Sequence, residues 1–289
     1  MMKNPKLLRI VIPGVIVVIF LVLFFFTNLF SKPESIEKPE QDLEIKPLVV
    51  WGAYTGGTDR TMLDFEKMVD GTMPISAMFW GWTDPFPTTS AGEQGKTLVF
   101  YWEPHFGYNE INDGSRDKYI AQFAADMKAY GYPIILAPFD EPNLNENDWG
   151  STINGNTPKS FIAAWQRIHK IVKAEHADNV SFALVYNNIS IPAAPFTDYY
   201  PGDEYVDYVG VDGFNFDKQT FTEVFTDALA EARTFGKTVW IFSVGSITPK
   251  SEFIRDLGAS GVPWIWFNEK PFEIDKDSLE SFKEIIGSV

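Results

Sequence analysis

The sequence predicts an α/β fold, a (β/α)8 TIM barrel preceded by an N-terminal transmembrane helix. Three observations carry that expectation. Eight apolar, strand-like runs recur from residue 48 onward, amphipathic helical segments fit between several of them, and residues 10–30 form an almost wholly apolar stretch. Parallel strands covered by crossover helices read as such continuous apolar runs, because both of their faces are buried.

The N-terminal elements come first. Residues 10–26 (IVIPGVIVVIFLVLFFF) carry no charge, and Thr27 to Phe30 extend the run to about 21 residues, the length a helix needs to cross a bilayer. Lys3, Lys6 and Arg9 precede it, so the positive-inside bias puts residues 1–9 in the cytoplasm and everything after residue 30 outside. The competing reading is a cleaved signal peptide. The run is long for one, and no small-x-small cleavage site follows it. Residues 31–47 (SKPESIEKPEQDLEIKP) are dense in Pro, Glu and Lys and read as a linker holding the barrel, residues 48–289, off the membrane.

The strand runs are 48–54, 75–82, 97–104, 132–140, 180–188, 206–215, 238–245 and 262–268. Helical segments are expected at 115–131, between Ser115 and Gly131, and at 158–177, opened by Thr157-Pro158. Two more fit at 219–236, closed by Gly236, and at 277–287. A doubly wound open sheet would need a glycine-rich phosphate loop after the first strand. The first strand is followed by Gly56-Gly57 without the remainder of that pattern.

Composition narrows the chemistry. The chain has no cysteine and three histidines, which excludes disulfides and thiolate chemistry and disfavours a histidine-rich metal centre. No metal and no cofactor are expected. Residues 1–31 hold three basic and no acidic side chains, so the remainder sets 21 basic against 39 acidic groups, a net charge near −18. Such a domain repels phosphate backbones, and nucleic acid is not an expected partner.

Barrel enzymes carry their working residues at the C-terminal ends of the strands. Those ends offer Trp51 and Tyr54, then Trp80 and Trp82, then Trp102, Glu103 and His105, then Asp140, Glu141 and Asn143. The later strands offer Asn187 and Asn188, Asp212, Phe214 and Asn215, Ser243, and finally Trp266 and Asn268. Aromatic rings that stack on sugar C–H faces, beside carboxylates and amides that bind hydroxyls, suit a polysaccharide or oligosaccharide. The expected sugar contacts are Trp82, Trp102, Glu103, Asp140, Asn143, Asp212, Phe214 and Trp266, although several of the tryptophans could equally fill the barrel. Glycoside cleavage needs two carboxyl groups, and Glu141, at the end of a buried strand, is the first choice for the proton donor.

The segments YWEP, ILAPFDEPN, PKSFIAAWQRIHKIVKAEHADNVSF, YYPGDEYVDYVGVDGFN and WIWFN together resemble glycoside hydrolase family 26, whose members include endo-acting β-mannanases, and the resemblance covers nearly all of residues 48–289. It implies a (β/α)8 barrel, a retaining mechanism and an acid/base glutamate after strand 4, a role that falls on Glu141. The sequence also departs from the family pattern, with Ala137 where an arginine and Asp140 where a histidine is usual. Ser243 stands where the family's strand-7 nucleophile glutamate is expected, and Phe242, Val244 and Gly245 beside it offer no carboxylate. A serine without a neighbouring base is a poor nucleophile toward an anomeric carbon.

Three readings stay open. The first is a membrane-anchored glycosidase acting on β-linked, mannan-type polysaccharide through a displaced second carboxylate, with Glu103, Asp140 and Asp212 as candidates. The second is a catalytically inactive carbohydrate-binding pseudo-glycosidase, and the third a tethered interaction domain.

Overall fold

A computed structural model describes residues 50–287. In chain order its elements are β1 (Trp51–Tyr54), α1 (Asp59–Val69), β2 (Ile75–Gly81), β3 (Thr97–Glu103), α2 (Asn109–Asn112) and α3 (Asp117–Tyr130). Then follow β4 (Ile134–Pro138), α4 (Pro158–Ala174), β5 (Val180–Asn187), β6 (Tyr208–Asn215), α5 (Phe221–Arg233), β7 (Thr238–Ser246), α6 (Lys250–Ala259), β8 (Trp264–Phe267) and α7 (Leu279–Ile286). The eight strands are parallel and close in sequence order into one barrel, β8 pairing back onto β1. This is the expected (β/α)8 architecture.

Two of the crossovers differ from an ideal barrel. The connection from β2 to β3 has no helix, and the one from β5 to β6 has only two short 3-10 turns. Pro85 and Pro87 lie in the first, and Pro192, Pro195 and Pro201 in the second. Each removes a backbone donor and biases the preceding residue away from helix. Elsewhere local chemistry sets the helix ends. Thr58, Thr157 and Thr220 each close a capping box, satisfying otherwise orphaned N–H groups of α1, α4 and α5. Gly131 ends α3 in the left-handed conformation, as its sequence position suggests. Ser115 does not cap that helix. Its hydroxyl donates to the Glu110 carbonyl at 2.7 Å, and α3 begins two residues later.

Strand alternation sorts the core into two layers. Inside the barrel lie Val99 and Tyr101 from β3, Ala137 from β4, Ala183 and Val185 from β5, and Trp240 and Phe242 from β7. Their neighbours Leu98, Phe100 and Trp102 point the other way and pack under the helices. No helix among the described residues is long and apolar enough to cross a membrane. The anchor expected at 10–30, the segment 1–9 and the linker 31–47 lie outside the described residues.

Candidate active site

Four carboxyl groups converge at the C-terminal mouth. Glu103 ends β3 on the same face as Val99 and Tyr101, Asp140 and Glu141 follow β4, and Asp212 sits near the end of β6. Glu141 is fixed from several sides. Its backbone lies at φ 53°, a left-handed conformation that a glutamate seldom adopts, and its N–H donates to the Val185 carbonyl on β5 at 2.9 Å. Asn187 Nδ2 donates to Glu141 Oε1 at 2.9 Å. Asn187 is held in turn by Asn143, whose Oδ1 accepts from the Asn187 N–H and whose Nδ2 donates to the carbonyls of Asn187 and Ile189. Asn143 is therefore a bracket behind the acid, with its amide spent on the protein.

The acids differ in exposure and protonation. Asp140 is 5% and Asp212 2% exposed, and each has one carboxyl oxygen without a hydrogen-bond partner. Burial pushes both well above the ordinary carboxylate range. Glu103 and Glu141 add to the effect on Asp140, Glu141 and Asp140 to that on Asp212, which a Ser243 backbone N–H partly offsets. Burial pushes Glu141 up to about 7; its Asn187 bond opposes this, while Glu146 and Glu103 add to it. Glu103 is only half-buried. Burial raises it too, but His105 Nε2, 3.7 Å from its carboxylate, favours the ionised form.

Beneath the acids, the Tyr101 hydroxyl donates across the barrel to the Phe242 carbonyl on β7. There the β6–β7 register shifts between Val211 and Asp212, leaving Phe242 unpaired and setting Ser243 opposite Asp212. Such a bulge re-aims the residue that follows it, and Ser243 lies buried, 4% exposed, among the acids. No acid follows on this strand, which runs out through Val244, Gly245 and Ser246. Among the described residues, no three or more His, Asp and Glu side chains come together in a way that could hold a metal ion.

The other half of the mouth is aromatic. Tyr101 stacks on Phe79 at 4.3 Å, Phe79 meets Tyr54 at 4.9 Å, and Tyr54 stacks on Phe267 at 5.1 Å. Phe214 meets Phe267 at 5.8 Å and Phe272 at 4.9 Å. Phe272 lies so close over β7 that a Cβ on Gly245 would come within 2.6 Å of its ring, so only glycine fits there.

Strand parity overturns part of the expected sugar lining. Trp102 alternates with the inward-facing Tyr101 and points outward, stacking on Trp82 at 4.1 Å and on Phe123 of α3 at 4.6 Å. Trp266 likewise packs against Phe282 of α7. Trp82, Trp102 and Trp266 are thus buried between barrel and helices, with no ring face turned to the mouth. Glu103, Asp140, Glu141, Asp212, Ser243 and Phe214 do come together. Phe79, Phe267 and Phe272 were missed in the sequence, though counting back by twos from Glu103 would have turned Tyr101 inward.

The model for glycosyl hydrolase family 26 matches residues 76–284. Endoglucanase H of Acetivibrio thermocellus is 28% identical over 94% of this chain. The chain spans about a third, 33%, of that relative's length. Among solved structures, the catalytic domain of an endo-β-1,4-mannanase from Bacillus sp. JAMB-750 superposes with a TM-score of 0.62 at 17% identity, covering 83% of this chain and 86% of that one. The family 26 domain of an endo-β-mannanase/endo-β-glucanase from Prevotella bryantii gives a TM-score of 0.62 at 13% identity, over 83% and 89%.

Proposed function

The chain belongs to glycosyl hydrolase family 26, and from that premise we propose that it is a membrane-anchored hydrolase of β-linked mannan- or glucan-type polysaccharide, with Glu141 as its proton donor. The observation that carries this reading is the state of Glu141. A carboxyl pushed up to about 7 is protonated over much of the neutral range and can still give its proton away. Its left-handed backbone is costly and persists only where the surroundings enforce it, as functional sites do. The related endoglucanase and mannanases support the substrate class.

The second carboxyl is assigned to Glu103. Asp140 and Asp212 are buried and held towards their neutral forms, so neither suits the role of base. Glu103 is half-buried and has His105 beside it to favour its anion. In the resulting step Glu141 protonates the glycosidic oxygen as its bond to the anomeric carbon breaks. Water forms the new bond to that carbon and gives a proton to Glu103, and the configuration inverts.

A second reading, a glycan-binding barrel without hydrolysis, is favoured by one observation: Ser243 stands on β7 at the position where the family resemblance implies the nucleophile carboxylate. The test is hydrolysis of mannan and mixed-linkage glucan by the full chain, with product configuration followed by NMR. Glu141→Gln is expected to lose at least about 100-fold, the scale of general-acid catalysis. A product that retains configuration removes Glu103 from the role of base. A parent chain that binds but never cleaves, with cleavage arising in Ser243→Glu, establishes the second reading instead.

The cellular placement in this reading rests on residues 10–30 and the three cationic residues before them. They support a single-pass anchor with a cytoplasmic N-terminus and the barrel outside. Cleavage by an added protease on intact cells checks it, since an internal barrel would be protected.

A further inference from the structure

Among the described residues Phe216 is the most exposed large hydrophobic side chain, at 62%. It is not a loose loop tip. The preceding Asn215 is fully buried and ties the β6 loop to β7, its Nδ2 donating to Ser246 Oγ and to the Thr248 carbonyl, both at 2.9 Å. Its Oδ1 accepts from the Gln219 N–H at 2.9 Å, and its carbonyl from the Ile247 N–H at 2.9 Å. Lys218, at φ 58°, donates its N–H to the Thr248 carbonyl at 3.0 Å. The backbone on both sides of Phe216 is thus pinned, and the ring is presented to solvent by construction.

The ring also has a supported inner side. It meets Phe272 at 5.4 Å and Phe214 at 6.0 Å, and those two continue through Phe267, Tyr54 and Phe79 to Tyr101 beside the acids. An aromatic track therefore runs from solvent to the carboxyl cluster. A rigid, exposed ring costs little conformational entropy on binding and offers a flat apolar face. The occupant that fits is a sugar ring whose C–H face is apolar and whose hydroxyls stay in water. Continuity with the mouth makes it a unit of the same chain that reaches the acids.

We propose that Phe216 is an outer stacking platform for a hexopyranose unit of a β-linked glycan, beyond the unit that faces the carboxyl cluster. The proposal rests on the carbohydrate reading of the mouth and adds to it a residue that selects for chain length. A short saccharide fills the mouth alone, whereas a longer one gains the contact at Phe216.

The experiment measures calorimetric affinities of β-1,4-linked mannose and glucose di- and hexasaccharides. It uses the full chain in detergent, in a Glu141→Gln background that prevents cleavage. Phe216→Ala is expected to weaken hexasaccharide binding about tenfold, the scale of one aromatic contact, to leave disaccharide binding unchanged, and to keep the parent melting temperature. Phe216→Trp is expected to restore or exceed the parent affinity. Equal hexasaccharide affinity in parent and Phe216→Ala overturns the platform while leaving the carbohydrate reading intact. An equal loss for both lengths, or a loss confined to binding of phosphatidylcholine vesicles, also overturns it. A parent that binds no saccharide of either length removes the carbohydrate reading, and the platform with it.

Discussion

At the floor of the barrel Trp240 packs against Tyr208 at 5.4 Å, beside a cavity of about 390 Å³ whose walls include Ile75, Pro133 and Ile135. At the mouth the same eight strands end among Glu103, Asp140, Glu141 and Asp212, with two carboxyl oxygens left without partners. Backbone conformations divide the same way. The left-handed Asp70 and His176 sit just past the ends of α1 and α4, where such residues finish a helix. His105, Phe139 and Glu141 are equally left-handed beside the ends of β3 and β4, where no helix end explains them. Each carries a cost of roughly 1–3 kcal/mol. The floor is arranged for packing, and the mouth holds charge and strain that folding alone would not choose.

Substitutions at the two ends can break or sharpen that contrast. The largest effect on stability is expected at the floor. Trp240→Ala should lower unfolding free energy by about 3–5 kcal/mol, measured in urea, with saccharide affinity of the remaining folded fraction unchanged. Weakened affinity per folded molecule would mean that floor and mouth are coupled.

The acids should act in the opposite direction. The Glu141 carboxyl has a folded value of about 7 against an ordinary 4.5. Its contribution to stability is therefore fully present below pH 4.5 and lost as pH rises through about 7. Glu141→Gln should lose at least about 100-fold in catalysis yet be more stable than the parent at pH 8, by something on the order of 2 kcal/mol after allowing for partial exposure. The two should match at pH 4. Asp212→Asn should show the same sign, with a gain on the alkaline side only, because burial and its neighbours raise that group too. A variant less stable than the parent at pH 8 would show that the acid cluster supports the fold.

A smaller effect isolates the scaffold from both ends. Thr157→Ala removes the capping box of α4 and should cost about 1 kcal/mol, equally at pH 4 and pH 8. Saccharide affinity should not move.

Much of the fold was legible because its signals are local. The eight apolar runs, the Thr157-Pro158 start and the Gly131 stop each depend on residues a few positions apart, and all appear where the sequence suggested. The two crossovers without an α-helix were legible in principle from their prolines. Which tryptophans face the mouth was not. A strand apolar on both faces carries no alternation of its own, so the outward side of Trp102 in TLVFYWE follows only once Glu103 is known to face the mouth.

The residue types at the mouth were likewise readable by themselves: a glutamate after strand 4, aromatics at several strand ends, and a serine where strand 7 would need an acid. Their chemistry was decided only by the closed barrel. The bulge that sets Ser243 opposite Asp212 depends on the pairing of β6 with β7. The raised Glu141 depends on burial, on Glu146 and on Glu103, which lies 38 positions earlier in the chain, with the bond from Asn187 on β5 opposing them. A carboxyl's protonation reflects the sum of the groups around it, and that sum exists only once distant strands have been brought to one rim.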